Sequence, residues 1–229
     1  NCIHLLAVPG QLAVPFSDGE ASLADCYAAA GPARCLQGLG AVVDLPEDAH
    51  YLAATPETLA GLCDAYGSLR VGFSGVLSPE ERTRFDQTGV RDWDGASAHA
   101  FLQELADSLA PDTAAAARAA VWDAFFRQNL EALPAALPDS LREASGSLLT
   151  DLTAADLLTL EDTLELLANN GAVVKSSVLP GRTDRRSGLY VLGEEAGPAV
   201  QAFFNVADSA PASGAQSASS SAPYPSTSV

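Results

Sequence analysis

The chain has 229 residues, 48% of them apolar but only 7% aromatic, and 29 acidic side chains against 12 basic ones give a net charge of −17. A chain this long can bury a sizeable core without metal or disulfide support. Its acidic surface disfavours nucleic acid and anionic lipid as partners for the body of the protein. No apolar run reaches the ~18 residues that a bilayer span requires. The Ala-rich, aromatic-poor apolar fraction suits closely packed helices, so the expected fold is mainly α, a multi-helix bundle with a small C-terminal β-hairpin.

The sequence contains no Met, even at its first position. This implies a processed chain, by removal of a signal peptide before Asn1 or by excision from a longer protein. The four cysteines, Cys2, Cys26, Cys35 and Cys63, all fall in the first 63 residues. An even number confined to one segment predicts two disulfides with three pairings open, free buried thiols being the alternative. No CxxC spacing or His cluster accompanies them, which argues against zinc.

In chain order, Cys2 to Phe16 reads as an extended lead-in broken at Pro9-Gly10 and Pro15. Ser17 to Ala30 reads as a helix ended by Gly31-Pro32, with a further helical turn over Arg34 to Val43. Thr55-Pro56-Glu57 places an N-cap, a first-turn proline and an acid in sequence, and predicts a helix reaching Gly67 with Leu59, Leu62, Cys63 and Tyr66 on one face. A weak strand follows at Leu69 to Leu77, and Ser78-Pro79-Glu80-Glu81 opens the next helix. Asp94 caps a helix with Ala98, Phe101, Leu102, Leu105 and Leu109 along one stripe. From Asp112 to Leu133 the longest helical pattern gathers Val121, Trp122, Phe125, Phe126, Leu130 and Leu133, which makes it the expected centre of the core. Pro134 and Pro138 mark a break before a short helix, Ser140 to Leu149. Thr153 and Asp156 then form a capping-box start for a helix bearing Leu157, Leu160, Leu164 and Leu167, which ends at Asn169-Asn170-Gly171.

Two strand-like pieces follow, Ala172 to Leu179 and Gly188 to Leu192, joined by "PGRTDRRS". Helix, Asn/Gly cap, strand, basic loop and strand, over Ser140 to Gly193, resemble the C-terminal part of a winged-helix domain. That resemblance implies a module that binds DNA or another protein. Lys175, Arg182, Arg185 and Arg186 are the candidate contact residues, because a guanidinium takes an oxyanion bidentately. The preceding helix carries Asp156, Glu161, Asp162 and Glu165 and no base, which opposes a major groove and leaves carboxylates as the expected counter-charges.

The division expected is a cysteine-containing helical subdomain over 1–77, a helical core over 78–138, a helix-plus-hairpin module over 139–207 and a disordered Ser/Ala/Pro/Thr-rich tail over 208–229. His4, His50 and His99 are scattered, and "GFSGV" (Gly72 to Val76) lacks the spacing of a nucleophile elbow. "DWDG" (Asp92 to Gly95) lacks the further ligands of a calcium loop and reads as a helix cap. No P-loop, GxGxxG or HExxH is present.

No catalytic residue, cofactor or metal is therefore expected. The leading reading is a non-enzymatic, secreted or surface-attached helical domain whose partner is another protein. An intracellular, cytoplasmic winged-helix adaptor or regulator is the alternative, and a hydrolase with an unrecognised site is a third reading. The third requires a pocket holding His50 or His99 beside a Ser or Cys and an acid.

Overall fold

The computed structural model of the chain describes residues 1–204, apart from the side chains at positions 56, 59, 62 and 63. The expected tail over 208–229 lies outside the described residues, as does the Cys63 thiol. The frame is a parallel pair of strands from opposite ends of the chain, β1 (Cys2–Ala7) and β8 (Val173–Val178), in register from Cys2↔Val173 to Ala7↔Val178. Both strands are rich in β-branched or large apolar residues. One face of the pair supports the helix α5 (Pro111–Asn129), which packs against both strands.

The remaining strands form short antiparallel pairs around this frame. β2 (Ala13–Phe16) pairs with β3 (Gly19–Ser22), β4 (Leu52–Ala54) with β7 (Leu148–Thr150), β5 (Leu69–Val71) with β6 (Arg91–Trp93), and β9 (Gly181–Thr183) with β10 (Tyr190–Leu192). Helices α1 (Leu23–Gly40), α2 (Pro56–Ala65), α3 (Pro79–Arg84), α4 (Gly95–Ser108), α6 (Leu133–Ala144), α7 (Ala154–Asn169) and α8 (Ala196–Phe204) connect them. Gly31, at φ +77°, breaks α1 just ahead of Pro32.

Two clusters of side chains fill the interior. The larger gathers Leu69, Val71, Phe73 and Leu77 with Phe101 and Leu105 of α4, Val121 and Phe125 of α5, and Leu164 of α7; Ile3 of β1 packs against it. Aromatic contacts knit this cluster, with Trp93 stacked on Phe101 at 5.0 Å and Phe73 tilted against Phe101 at 5.1 Å. The second cluster, around Leu12, Val14, Cys26, Leu179 and Tyr190, lies under α1 and the β9–β10 hairpin.

The chain is thus α/β, not a multi-helix bundle with a C-terminal hairpin. The two C-terminal strand pieces do not pair with each other. The first joins β1, and the second pairs with a new three-residue strand, β9, cut from the expected loop. The reason is energetic: a strand with Val174 buried and a neighbour such as CIHLLA gains more by pairing in the interior than by closing a solvent hairpin. The expected disulfides are also corrected, because Cys2, Cys26 and Cys35 are free thiols on β1, on α1 before its break and on α1 after it. Cys26 is wholly buried, and burial raises the Cys35 pKa.

Helix starts are held by acids. The Glu81 carboxylate accepts the Ser78 N–H at 2.8 Å, Asp94 accepts the Ser97 N–H at 2.6 Å and Asp156 accepts the Thr153 N–H at 2.7 Å. These backbone hydrogen bonds are the main reason that all three pKa values fall below the ordinary carboxylate range. A folded-state pKa below the unfolded one stabilises the fold above the unfolded pKa, and that contribution is lost as pH falls through the folded value. The melting temperature should therefore hold from neutral pH down to about pH 5 and drop below about pH 4. The combined variant Glu81→Gln, Asp94→Asn, Asp156→Asn should show a shallower acid limb; an unchanged limb would remove these caps from the acid response.

Candidate functional site

α5 begins "PDTAAAARAAVW", and its small residues let the helix lie close on its neighbours, with Ala115 and Ala117 fully buried. One cation interrupts this run. Arg118 is half-buried and makes no ion pair or hydrogen bond among the described residues, and burial without a counter-charge lowers its pKa. An unpaired guanidinium removed from water is costly to folding unless something else engages it.

Arg118 and Trp122, one helical turn apart, line two cavities at once and so form the partition between them. The first cavity, about 200 Å³, is also lined by His99, Leu102 and Gln103 of α4 and by Ala60 of α2. The second, about 350 Å³, is lined by His4 to Ala7 of β1 and by Val8 just after it. His4 Nε2 is buried with no hydrogen-bond partner among the described residues, and its ring meets Phe203 and Phe204 of α8 edge-on at 5.1 and 5.8 Å.

The position of His99 follows from how α4 starts. Asp94 caps the helix, and the Gly95 N–H donates to Asp64 Oδ1 at 2.6 Å, tying α4 to the end of α2. A Cβ at Gly95 would stand 2.2 Å from the Ala60 carbonyl oxygen, so the helices cross in direct backbone contact. That contact sets the wall from which His99 lines the cavity. An imidazole carries a proton on or off near neutral pH, and an unpaired guanidinium binds an oxyanion, most strongly a phosphate. Trp122 and Leu102 add apolar surface beside the charge.

A larger cavity of about 540 Å³ lies between α6, α7 and the β4–β7 pair. Its lining is mostly apolar, from Leu52, Leu137, Leu141, Leu148 and Leu157, and Arg142 on its wall is held by Asp139 at 2.5 Å. Among the described residues no cluster of His, Cys, Asp and Glu could hold a metal ion.

The residues singled out in the sequence are only partly brought together. Arg182, Arg185 and Arg186 share the β9–β10 hairpin and are exposed, whereas Lys175 belongs to β8 and lies opposite His4 in the parallel pair. His50 pairs with Asp151 at 3.5 Å in an exposed position, where Asp151 also accepts the Tyr51 N–H. His99 does line a cavity, but with Arg118 and Gln103 and not with a Ser or Cys nucleophile. Arg118 was not singled out from the sequence. The available signal was its isolation: it is the one Lys or Arg between Arg91 and Arg127.

No protein-family model matches the chain, and no curated protein matches it in sequence. Solved structures do share its fold. A LytR-Csp2A-Psr enzyme from Actinomyces oris superposes with a TM-score of 0.62 at 16% identity, over 87% of this chain and 79% of that one. B. subtilis TagT gives 0.63 at 17% identity, over 89% and 80%. TagT bound to LI-WTA gives 0.65 at 17%, over 89% and 79%. This likeness overturns the reading of the chain as a non-enzymatic helical interaction domain, because the fold is one that LytR-Csp2A-Psr enzymes use.

Proposed function

We propose that this chain is a cell-envelope enzyme that acts on an amphipathic, phosphate-bearing cell-wall intermediate and holds the phosphate with Arg118. The observation that carries the reading is the half-buried Arg118 guanidinium, unpaired among the described residues and exposed to two cavities. In this role the phosphate supplies the counter-charge that the protein withholds, and His99 lines the same cavity. Trp122 and Leu102 take an apolar portion of the ligand. The fold shared with a LytR-Csp2A-Psr enzyme and with TagT, solved with LI-WTA, supports the envelope setting and the class of substrate. The helices described are not long and apolar enough to cross a membrane.

Calorimetric titration with pyrophosphate tests the reading. The wild-type chain should bind, and Arg118→Ala should weaken binding by at least about tenfold, the loss expected when a charged hydrogen-bond donor is removed from an anion. Arg118→Lys should retain part of the affinity as a point charge. A wild-type chain that shows no pyrophosphate binding, or an Arg118→Ala chain that binds as well, would sink the proposal.

A further inference from the structure

The cavity between α6, α7 and the β4–β7 pair, about 540 Å³, shares no lining residue with the two cavities at Arg118. It is a trough with two helical walls and a sheet floor. Along α7 the wall is Ala154, Leu157, Leu158 and Glu161, a spacing of three, four and seven that places them on one helix face. Leu137 and Leu141, one turn apart, line it from α6. In the floor Leu52 stands opposite Thr150, and Leu148 lies two residues before Thr150, so strand alternation puts all three on one face of the pair. Leu52 is 43% exposed and Leu158 64%, so apolar surface continues from the cavity to its mouth.

The polar groups around the trough are committed, with one exception. Arg142, the one cation in the lining, is held by Asp139. Asp151, just past β7, accepts the Tyr51 N–H at 2.9 Å and faces His50 at 3.5 Å. Asp156 caps α7 through the Thr153 N–H and hydroxyl, both at 2.7 Å. The Thr150 hydroxyl donates to the Tyr51 carbonyl at 2.6 Å. Glu161 is the exception: half-buried on the α7 wall, it makes no ion pair or hydrogen bond among the described residues. A carboxylate partly withdrawn from water beside leucines is costly unless a cation joins it.

These features select the occupant. A third helix, about 10–12 Å across with its side chains, lies against two helical walls and buries an apolar stripe of i, i+3, i+4, i+7 spacing there. The leucines exposed at the mouth carry the apolar surface past the cavity, as at a site that receives a macromolecule. A strand added to the β4–β7 pair would join its edge and leave the trough empty. An anionic lipid surface is repelled by a chain of net charge −17 and by the uncompensated Glu161. The charge left over in the trough is negative, so the helix that fits it carries Lys or Arg beside its apolar stripe.

We propose that the α6–α7 trough receives a cationic amphipathic helix of a partner protein, with apolar anchors against Leu141, Leu148 and Leu157 and a Lys or Arg on Glu161. The proposal is independent of the Arg118 reading, and Arg118→Ala should leave it intact. Fluorescence anisotropy on the full chain tests it with a fluorescein-labelled, amidated peptide of leucine and lysine, about 14 residues or four helical turns long, with its leucines at helical spacing. The wild-type chain should bind this peptide. Glu161→Gln should weaken binding at least about tenfold, as when a charged partner is lost. Asp162→Asn removes the same charge from an exposed position outside the trough and should change binding by less than about twofold. Leu158→Ser should weaken binding at least about fivefold by removing apolar contact, with an unchanged urea midpoint because Leu158 is exposed. No binding by the wild-type chain would overturn the proposal. Equal losses in Glu161→Gln and Asp162→Asn would overturn it in favour of diffuse attraction to an acidic surface. A peptide with glutamate in place of lysine that binds as tightly would overturn the charge selection, and with it the proposal. Displacement by decanol at lower concentration than by unlabelled peptide would give the trough to an uncharged aliphatic chain and also overturn it.

Discussion

Phe73→Ala should remove about 3–5 kcal/mol of stability, the cost of emptying a fully packed aromatic site. Phe73 is 1% exposed and follows β5 at the point where the chain turns toward α3. Its ring touches Phe101 of α4 at 5.1 Å and Trp93 of β6 at 6.2 Å. Phe101 in turn stacks on Trp93 and meets Phe85 edge-on, so one deletion unsupports contacts among three segments. Against a total of roughly 5–15 kcal/mol, a loss of this size takes much of the margin. The urea midpoint should fall sharply, and Phe73→Leu, which keeps most of the volume, should cost less than about 1.5 kcal/mol. If the alanine variant lost under 1 kcal/mol, the aromatic cluster would not be the centre of the core.

The parts of this fold that the sequence discloses are those decided within one helical turn. Ser78, Asp94 and Thr153 announce helix starts because a cap is a contact between residues three apart, and the structure makes those contacts. The long amphipathic pattern after Asp112 likewise marks α5 as the helix on which the core is built. Pairing between distant strands leaves no such local trace. Nothing in "CIHLLA" names "VVKSSV" as its neighbour, and a strand near another strand invites the nearer, wrong partner. The cysteines mislead for the same reason. Closeness in sequence suggested bridges, whereas Cys2 begins the central strand and Cys26 lies buried on α1 in the second cluster. Arg118 was hidden by a sound expectation, that an arginine on an Ala-rich helix faces water. Only the packing of α4 and β1 around α5 shows that it is half-buried.

Gly95→Ala and Gly61→Ala, the same chemical change on two helices in contact, should move stability in opposite directions. Gly61 lies within α2, and a Cβ there meets nothing within 4 Å. Alanine at that position should stabilise by up to about 1 kcal/mol through helix propensity alone. Gly95 opens α4 against the backbone of α2, where a new Cβ would stand 2.2 Å from the Ala60 oxygen and 2.7 Å from its Cα. Backbone cannot rotate away as a side chain can, so the helices must separate, at a cost of about 1–3 kcal/mol or more. Separation also strains the Gly95 N–H to Asp64 bond and shifts the wall that carries His99 and Ala60 beside Arg118. Gly95→Ala should therefore weaken pyrophosphate binding as well as lower the urea midpoint, whereas Gly61→Ala should leave binding untouched. If Gly95→Ala destabilised the chain but bound pyrophosphate as the wild type does, the anion would be held on the β1 side of Arg118, beside His4, and the α4 wall would have no part in binding.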